Sequence, residues 1–146
     1  MSKYKKLSHV IYKCDYHIVW VPKYRLRILR GEIKDLVDKD IRMLSEWRQC
    51  EVLELNIQED HVHMVISVPP KVSISTLMGT LKGKIAIKLF KSYPNLKKKP
   101  YWGNHFWARG YFVSTVGLDE DMIRKYVKYQ EEEEKKVEAQ QGRFDF

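Results

Sequence analysis

The chain has 146 residues, 44% of them hydrophobic, which suits one compact domain whose core needs no disulfides. Its 27 Lys and Arg residues exceed its 19 Asp and Glu residues, and the resulting charge of +8 favours a polyanionic partner, most often nucleic acid. The sequence has no apolar signal core near its start and no apolar run long enough to span a bilayer. We therefore expect it to be neither secreted nor membrane-spanning. Cys14 and Cys50 lack metal-ligand spacing and are interpreted as free, buried or half-buried thiols in a reducing cytoplasm.

Strand and helix patterns alternate along the first half of the chain. Residues 1–13 are a basic lead-in for which no element is predicted. Residues 14–21 are rich in β-branched and aromatic side chains, which is typical of a strand. Residues 33–48 carry apolar side chains at helical spacing, whereas residues 51–57 and 61–68 alternate as strands do.

A second helix is predicted over residues 74–90, with Ser73 as its N-cap. Gly79 and Gly83 lie four residues apart inside it. Because each glycine costs a helix about 1 kcal/mol relative to alanine, their presence predicts a close approach of another backbone.

The last third of the chain contains a loop, a strand and a helix. Residues 92–108 are basic and aromatic and are expected to form a loop, and residues 110–116 form the next strand. A third helix starts near Asp119, where acidic side chains suit the positive end of the helix dipole. It continues into the acidic run Glu131–Glu134, which is interpreted as a solvated helix face.

The predicted order is β-α-β-β-α-β followed by one helix, which indicates an α+β fold of the ferredoxin-like type, shared with RNA-recognition modules. The sheet should be antiparallel, with the first and third strands central and two helices on one face. The last helix is then free to cover the other face. Residues 1–146 are expected to form a single domain, in which residues 131–146 are a charged helical extension or tail.

His61 and His63 are two residues apart in a predicted strand. Their side chains point to one face, with Cα atoms about 6.5 Å apart. The other face is an apolar row that must pack against the helices: Val62, Met64, Ile66 and Val68. The two imidazoles can converge on one metal ion, but two polar residues on an exposed sheet face would give the same pattern.

Tyr126 and Gln130 lie one turn apart on the third helix. A free tyrosine has a pKa of about 10, so it becomes a useful nucleophile only beside a cation or a base. A metal on the histidines could supply that charge, with the Gln130 amide oxygen as a third ligand. Imidazole and oxygen ligands suit Mg²⁺ or Mn²⁺. Tyr126 could equally be a packing residue, and Tyr129 is the rival nucleophile.

The run from Asp60 to Val65 resembles the His-hydrophobic-His motif of HUH nucleases. The spacing of Tyr126 and Gln130 resembles the single-tyrosine HUH transposases, the TnpA family of IS200-like insertion sequences. Further similarity lies in residues 16–25 and 106–113, and the resemblance extends from residue 14 to about residue 132.

The resemblance implies a mechanism and a setting. Tyr126 would attack a phosphodiester of single-stranded DNA, forming a 5′-phosphotyrosine and freeing a 3′-hydroxyl, so that rejoining needs no ATP. Such enzymes recognise hairpins at transposon ends in a prokaryotic cell. They act as homodimers in which the tyrosine helix of one subunit completes the site of the other.

Several basic residues are candidate DNA contacts. Lys82, Lys84 and Lys88 cluster on the second helix, Arg109 lies in a matching segment, and His17 lies on a neighbouring strand. The lysines could equally form a solvated face, and His17 could be a structural histidine. Phe106 and Trp107 are interpreted as packing residues in preference to base-stacking ones.

Two rival functions remain open. One is a related HUH nuclease that serves in replication initiation, in plasmid mobilisation or in the handling of dispersed repetitive hairpins. The other is a non-catalytic RNA-recognition-like module, which would carry aromatic residues on the exposed sheet face where this chain has His61 and His63.

Overall fold

The computed structural model describes residues 4–98, 105–115 and 120–141. Within these residues the strands are β1 (Lys5–Leu7), β2 (Val10–Tyr12), β3 (Asp15–Trp20), β4 (Glu51–Gln58), β5 (His61–Ser67) and β6 (Phe112–Ser114). The α-helices are α1 (Gly31–Trp47), α2 (Ile74–Ser92) and α3 (Glu120–Gln141). Short 3-10 turns occupy Lys23–Arg25 and Pro94–Lys98, the second of them inside the predicted loop.

Four strands form one antiparallel sheet in the order β4-β5-β3-β6. The central strands β3 and β5 are the first and third of the β-α-β-β-α-β pattern, as the sequence predicted. The α+β, ferredoxin-like prediction is therefore confirmed. No helix among the described residues has the length and apolar character needed to cross a membrane.

The main core lies between the sheet and helices α1 and α2. Strand β5 contributes Val62, Met64 and Ile66, all fully buried. The two helices contribute apolar stripes at helical spacing: Val37, Ile41 and Leu44 from α1, and Leu77, Leu81, Ile85 and Leu89 from α2. The other face of the sheet, which carries His61 and His63, does not contribute to this core.

Helix α2 begins as predicted, since the Ser73 hydroxyl accepts a hydrogen bond of 3.1 Å from the backbone N–H of Thr76. The expected close backbone approach at Gly79 and Gly83 is wrong. A Cβ added at either glycine would meet none of the described residues outside its own helix within 4 Å.

The basic lead-in forms structure that the sequence did not predict. Strands β1 and β2 pair as an antiparallel hairpin whose last pair, Leu7 and Val10, leaves a two-residue turn. That turn is Ser8-His9, which lacks the glycine by which short hairpin turns are usually recognised. An ion pair between Lys5 and Glu51 ties the hairpin to the start of β4.

The segment before β6 continues the sheet. Strand β6 is shorter than the predicted 110–116, but residues 106–108 run beside residues 21–23. Ala108 N–H donates to Val21 O and Lys23 N–H donates to Phe106 O, both at 2.9 Å. The side chains of Phe106 and Trp107 are buried against aromatic neighbours, so the packing interpretation of these two residues is confirmed.

Candidate active site

His61 and His63 lie on the face of β5 that points away from the main core, and both are half-buried. His63 is opposite Val19 of β3 on one side and Asn56 of β4 on the other. The predicted orientation of the pair is confirmed. The metal-binding role assigned to these residues stays a prediction.

Asp60 holds the His61 ring, with 2.9 Å between His61 Nδ1 and Asp60 Oδ1. Burial opposes ionisation of Asp60, but the hydrogen bonds from His61 and Arg25 outweigh it and lower the pKa of this carboxyl below 3.8. The carboxylate therefore accepts a hydrogen bond from Nδ1–H, which leaves Nε2 of the neutral imidazole with the lone pair that a ligand needs.

His17 lies on the same face, on the neighbouring strand. Its ring stacks on that of His63, with centroids 5.8 Å apart and planes inclined by 26°. The Nδ1 atom of His17 is buried, and no hydrogen-bond partner for it lies among the described residues. Its predicted position beside the pair is confirmed, and its role toward DNA stays a prediction.

Helix α3 covers this second face of the sheet. A separate apolar cluster joins the two, formed by Val19, Val21, Ala108, Ile123 and Val127. Tyr126 packs on this cluster, with its ring edge-on to Phe112 at a centroid distance of 5.8 Å. Because Phe112 is opposite Val19 and Val19 is opposite His63, Tyr126 lies on the β6 side of the histidines.

The hydroxyl of Tyr126 is buried, and the described residues offer it no hydrogen-bond partner. Burial, with smaller effects of Glu134 and Tyr129, raises the pKa of this hydroxyl well above its ordinary value of 10.0. In this arrangement Tyr126 is a protonated phenol at neutral pH, and it needs a nearby cation to react. Tyr129, the rival nucleophile, is 55% exposed and lies outside the cluster.

Gln130 is anchored to the segment before β6. Its amide nitrogen donates to the backbone carbonyl of Arg109 at 2.6 Å. This bond leaves the amide oxygen for another partner, as the predicted role in metal binding requires.

The predicted DNA contacts separate into two groups. Lys82 donates to the carbonyls of Ala108 and Gly110, both at 2.8 Å, and lines a cleft of about 460 Å³ with Arg109. Lys84 and Lys88 instead line a groove between α1 and α2, on the opposite side of the sheet from the histidines. Lys88 also pairs with the buried Asp40 at 3.1 Å. These two lysines are therefore remote from the histidine face.

The 3-10 turn Lys23–Arg25 is a part of the site that sequence reasoning missed. Arg25 contacts Asp60 at 3.0 Å and Glu131 of α3 at 3.1 Å. Glu134 accepts from the backbone N–H of Tyr24 and lies 3.6 Å from Lys23 Nζ. The interpretation of Glu131–Glu134 as a solvated face is thus wrong for its first and last residues.

The resemblance implies a divalent metal ion, for which His61, His63 and Gln130 are the predicted ligands. The described residues contain no group of three or more His, Cys, Asp and Glu side chains able to hold a metal ion. Two imidazoles and one amide oxygen fit Mg²⁺ or Mn²⁺ only if water and phosphate oxygens complete the coordination sphere. Such an open site is what a metal that contacts substrate requires.

Comparison with known proteins decides the family. Residues 10–130 match the family described as "Transposase IS200 like". The chain belongs to this family. IS200-like transposases are DNA-cleaving enzymes of the single-tyrosine type, so the enzyme class predicted from the motifs is confirmed.

Named relatives agree with the assignment to the IS200-like transposases. The chain is 43% identical over 135 residues to the transposase for insertion sequence element IS200 of Salmonella typhimurium, covering 92% of this chain and 88% of that protein. It is 34% identical over 131 residues to the ISDra2 transposase TnpA of Deinococcus radiodurans, covering 89% of this chain and 93% of that protein.

Solved structures agree as well. A crystal structure of a candidate transposase from Deinococcus radiodurans R1 superposes with a TM-score of 0.76 at 30% identity, covering 86% of this chain and 97% of that one. A REP-associated tyrosine transposase bound to a REP hairpin gives a TM-score of 0.52 at 16% identity, over 97% of this chain and 75% of that one. The second likeness is one of fold alone.

Proposed function

We propose that this IS200-like transposase cleaves and rejoins single-stranded DNA through a covalent bond to Tyr126, with Mg²⁺ or Mn²⁺ bound by His61, His63 and Gln130. One observation carries the proposal. Helix α3 packs on the sheet face that bears the two histidines, with Tyr126 against the apolar cluster of that face and Gln130 bonded to the segment before β6. A helix that only completed a core would not need to cover polar residues.

The proposed reaction is a transesterification. The Tyr126 oxygen attacks the phosphorus and loses its proton, while the bond from phosphorus to the 3′-oxygen breaks and that oxygen gains a proton. The products are a 5′-phosphotyrosine and a free 3′-hydroxyl. Attack by a second 3′-hydroxyl reverses these steps and joins two strands, so the number of phosphoester bonds is conserved and no ATP is needed.

The chain's own residues prepare this step. Asp60 holds His61 through Nδ1 so that Nε2 keeps its lone pair for a ligand, and the hydroxyl of Tyr126 is buried away from water. A bound metal would polarise a phosphate oxygen and stabilise the charge that develops in the transition state. Because the Tyr126 hydroxyl is buried in the free protein, we expect DNA binding to expose it.

We propose single-stranded DNA with hairpins as the substrate. The basic charge of the chain and the hairpin bound by the REP-associated neighbour support this choice. The proposed contacts are His17 on the histidine face, and Arg109 and Lys82 at the segment before β6. Lys84 and Lys88, beyond the helices, could hold only DNA that extends to the other side of the molecule.

The resemblance adds a homodimer whose sites are shared between subunits. In the structure α3 packs on the sheet of its own chain. The cluster that holds it is small and separate from the main core, so α3 can move to a partner's sheet without disturbing that core. A mixture of His61→Ala and Tyr126→Phe proteins tests this proposal, because only shared sites restore cleavage.

A non-catalytic RNA-recognition-like module is the weaker candidate. Such modules stack bases on aromatic residues of an open sheet face. Here that face carries histidines and is covered by α3.

The deciding experiment is a search for a covalent adduct. The protein is incubated with a hairpin-bearing single-stranded oligonucleotide from the ends of its own element, with Mn²⁺ or Mg²⁺, and analysed under denaturing conditions. Wild type and the control Tyr129→Phe should form the adduct, and Tyr126→Phe should not. Adduct formation by Tyr126→Phe would refute the assignment of the nucleophile, and its absence from wild type would refute the enzyme.

A further inference from the structure

Arg25 contacts two elements that lie far apart in the chain. Its Nε lies 3.0 Å from Asp60 Oδ2, in the turn before β5, and its Nη1 lies 3.1 Å from Glu131 Oε1 on α3. The guanidinium is planar and rigid, so both carboxylates take their positions from one group.

The first of these acids also holds a proposed metal ligand. The other oxygen of Asp60, Oδ1, lies 2.9 Å from His61 Nδ1. A continuous series of polar contacts therefore connects Glu131, Arg25, Asp60 and His61. Its members are partly shielded from solvent, with side-chain exposures of 33%, 29%, 16% and 18% respectively.

The backbone of the turn gives independent support. Tyr24 and Arg25 have φ angles of 58° and 53°, in the left-handed region that L-residues seldom occupy. Such a conformation persists only where surrounding contacts hold it, and strained residues of this kind concentrate at functional sites. Here the contacts come from α3, because Glu134 binds the backbone N–H of Tyr24 and pairs with Lys23.

We propose that Arg25 is a positioning residue that couples the docking of α3 to the orientation of His61. When α3 is docked, Glu131 holds Arg25, Arg25 holds Asp60, and Asp60 turns His61 Nε2 toward the ligand site. When α3 is displaced, Arg25 loses one carboxylate and His61 is held less firmly. The metal site is then fully formed only while the helix that bears the nucleophile lies on the sheet. This inference rests on the proposed metal role of His61.

Glu131→Gln gives the most direct test, because Glu131 pairs with Arg25 and Lys135 and is not one of the proposed metal ligands. Mn²⁺ affinity is measured without DNA by electron paramagnetic resonance for wild type, Arg25→Ala, Arg25→Lys and Glu131→Gln. We expect Arg25→Ala to weaken Mn²⁺ binding about 10-fold and Glu131→Gln about 3-fold. Arg25→Lys should restore part of the affinity, since a lysine keeps the charge but cannot hold both carboxylates as a fork does.

Coupling between Glu131 and Arg25 is tested by the variant that combines Arg25→Ala with Glu131→Gln. If Glu131 acts through Arg25, Glu131→Gln should have no further effect on Mn²⁺ affinity in the Arg25→Ala protein. The rate of hydrogen exchange at the backbone amides of α3, measured without metal, should rise in Arg25→Ala and in Glu131→Gln. Arg42→Ala, which removes an exposed pair with Asp38 on α1, is the matched control and should change neither quantity.

The outcomes separate the two proposals. Wild-type affinity for Mn²⁺ in both Glu131→Gln and Arg25→Lys would overturn the role of Arg25 and leave the metal site standing. Failure of wild type itself to bind Mn²⁺ would overturn both the metal site and the inference built on it. If Arg25→Ala does not fold, Arg25→Lys and Glu131→Gln still decide the matter.

Discussion

The ring of Tyr126 lies edge-on to that of Phe112, 5.8 Å away, and the tyrosine hydroxyl is buried without a hydrogen-bond partner among the described residues. The proposed nucleophile is thus sheltered and protonated in the free protein. An unreactive resting state is useful for an enzyme whose covalent chemistry should wait for its own DNA ends. A substitution at Phe112 can therefore test how its contact affects the pKa of Tyr126.

Phe112→Ala should lower the pKa of Tyr126 toward 10.0, because water then reaches a hydroxyl whose pKa is raised mainly by burial. The change also leaves a gap in the α3 cluster and should cost about 2 kcal/mol of stability. The pKa is measured by following tyrosinate absorbance as the pH is raised. The curve of the double variant Phe112→Ala/Tyr126→Phe is subtracted from that of Phe112→Ala, so that the difference belongs to Tyr126. The control is Val113→Ala, at an exposed position of the same strand. An unchanged pKa would show that burial by Phe112 is not what keeps the hydroxyl protonated.

Asp60→Asn should weaken Mn²⁺ binding about 10- to 100-fold without unfolding the protein. The amide still fills the same space but no longer holds His61 in one tautomer, and it gives Arg25 a poorer acceptor. Calorimetric titration with Mn²⁺ measures the effect. Asp38→Asn changes an equally negative side chain on α1 and should bind the ion as wild type does. Equal affinities in the two variants would contradict the role given to Asp60.

Lys82→Met should change how stability depends on pH. Burial lowers the pKa of Lys82 from 10.5 to about 8, against the opposing effect of Glu134. Between those values the unfolded chain binds more protons than the folded one, so stability rises with pH, by at most about 3 kcal/mol. Lys82→Met should remove this rise.

Urea unfolding at about pH 7 and about pH 10 measures that rise. Lys82→Met also removes the donor to the carbonyls of Ala108 and Gly110 at both pH values, so the difference in stability between the two pH values is the quantity that decides. Lys84→Met, on the exposed side of α2, should keep the pH dependence of wild type. If Lys82→Met keeps it as well, Lys82 is not the group that titrates.

The sequence predicted the features that follow from local periodicity. Alternation along β5 decided which face carries His61 and His63, and apolar spacing located α1 and α2 to within a few residues. The order of elements then left few possible topologies, and the ferredoxin-like sheet is one of them. Placing the last helix on the histidine face followed from the same logic, because only that face was left uncovered.

The features that the sequence did not predict depend on contacts between segments that lie far apart along the chain. Lysines on α2 look alike in the sequence, yet Lys82 caps two backbone carbonyls and Lys88 neutralises a buried carboxylate. Arg25 ends the matching segment 16–25, but its contacts could not be predicted, because its partners lie 35 and 106 residues away along the chain. The left-handed backbone at Tyr24 and Arg25 could not be predicted either, because neither position is a glycine.

The separate attachment of α3 has a consequence for how the protein comes apart. The main core joins the sheet to α1 and α2, whereas α3 is held by a small apolar cluster and by ion pairs of the turn Lys23–Arg25. Ion pairs near a surface are screened by salt, but buried apolar contacts are not. We therefore expect helix α3 to behave as a cooperative unit of its own, which opens sub-globally before the rest of the chain and opens more readily as ionic strength rises.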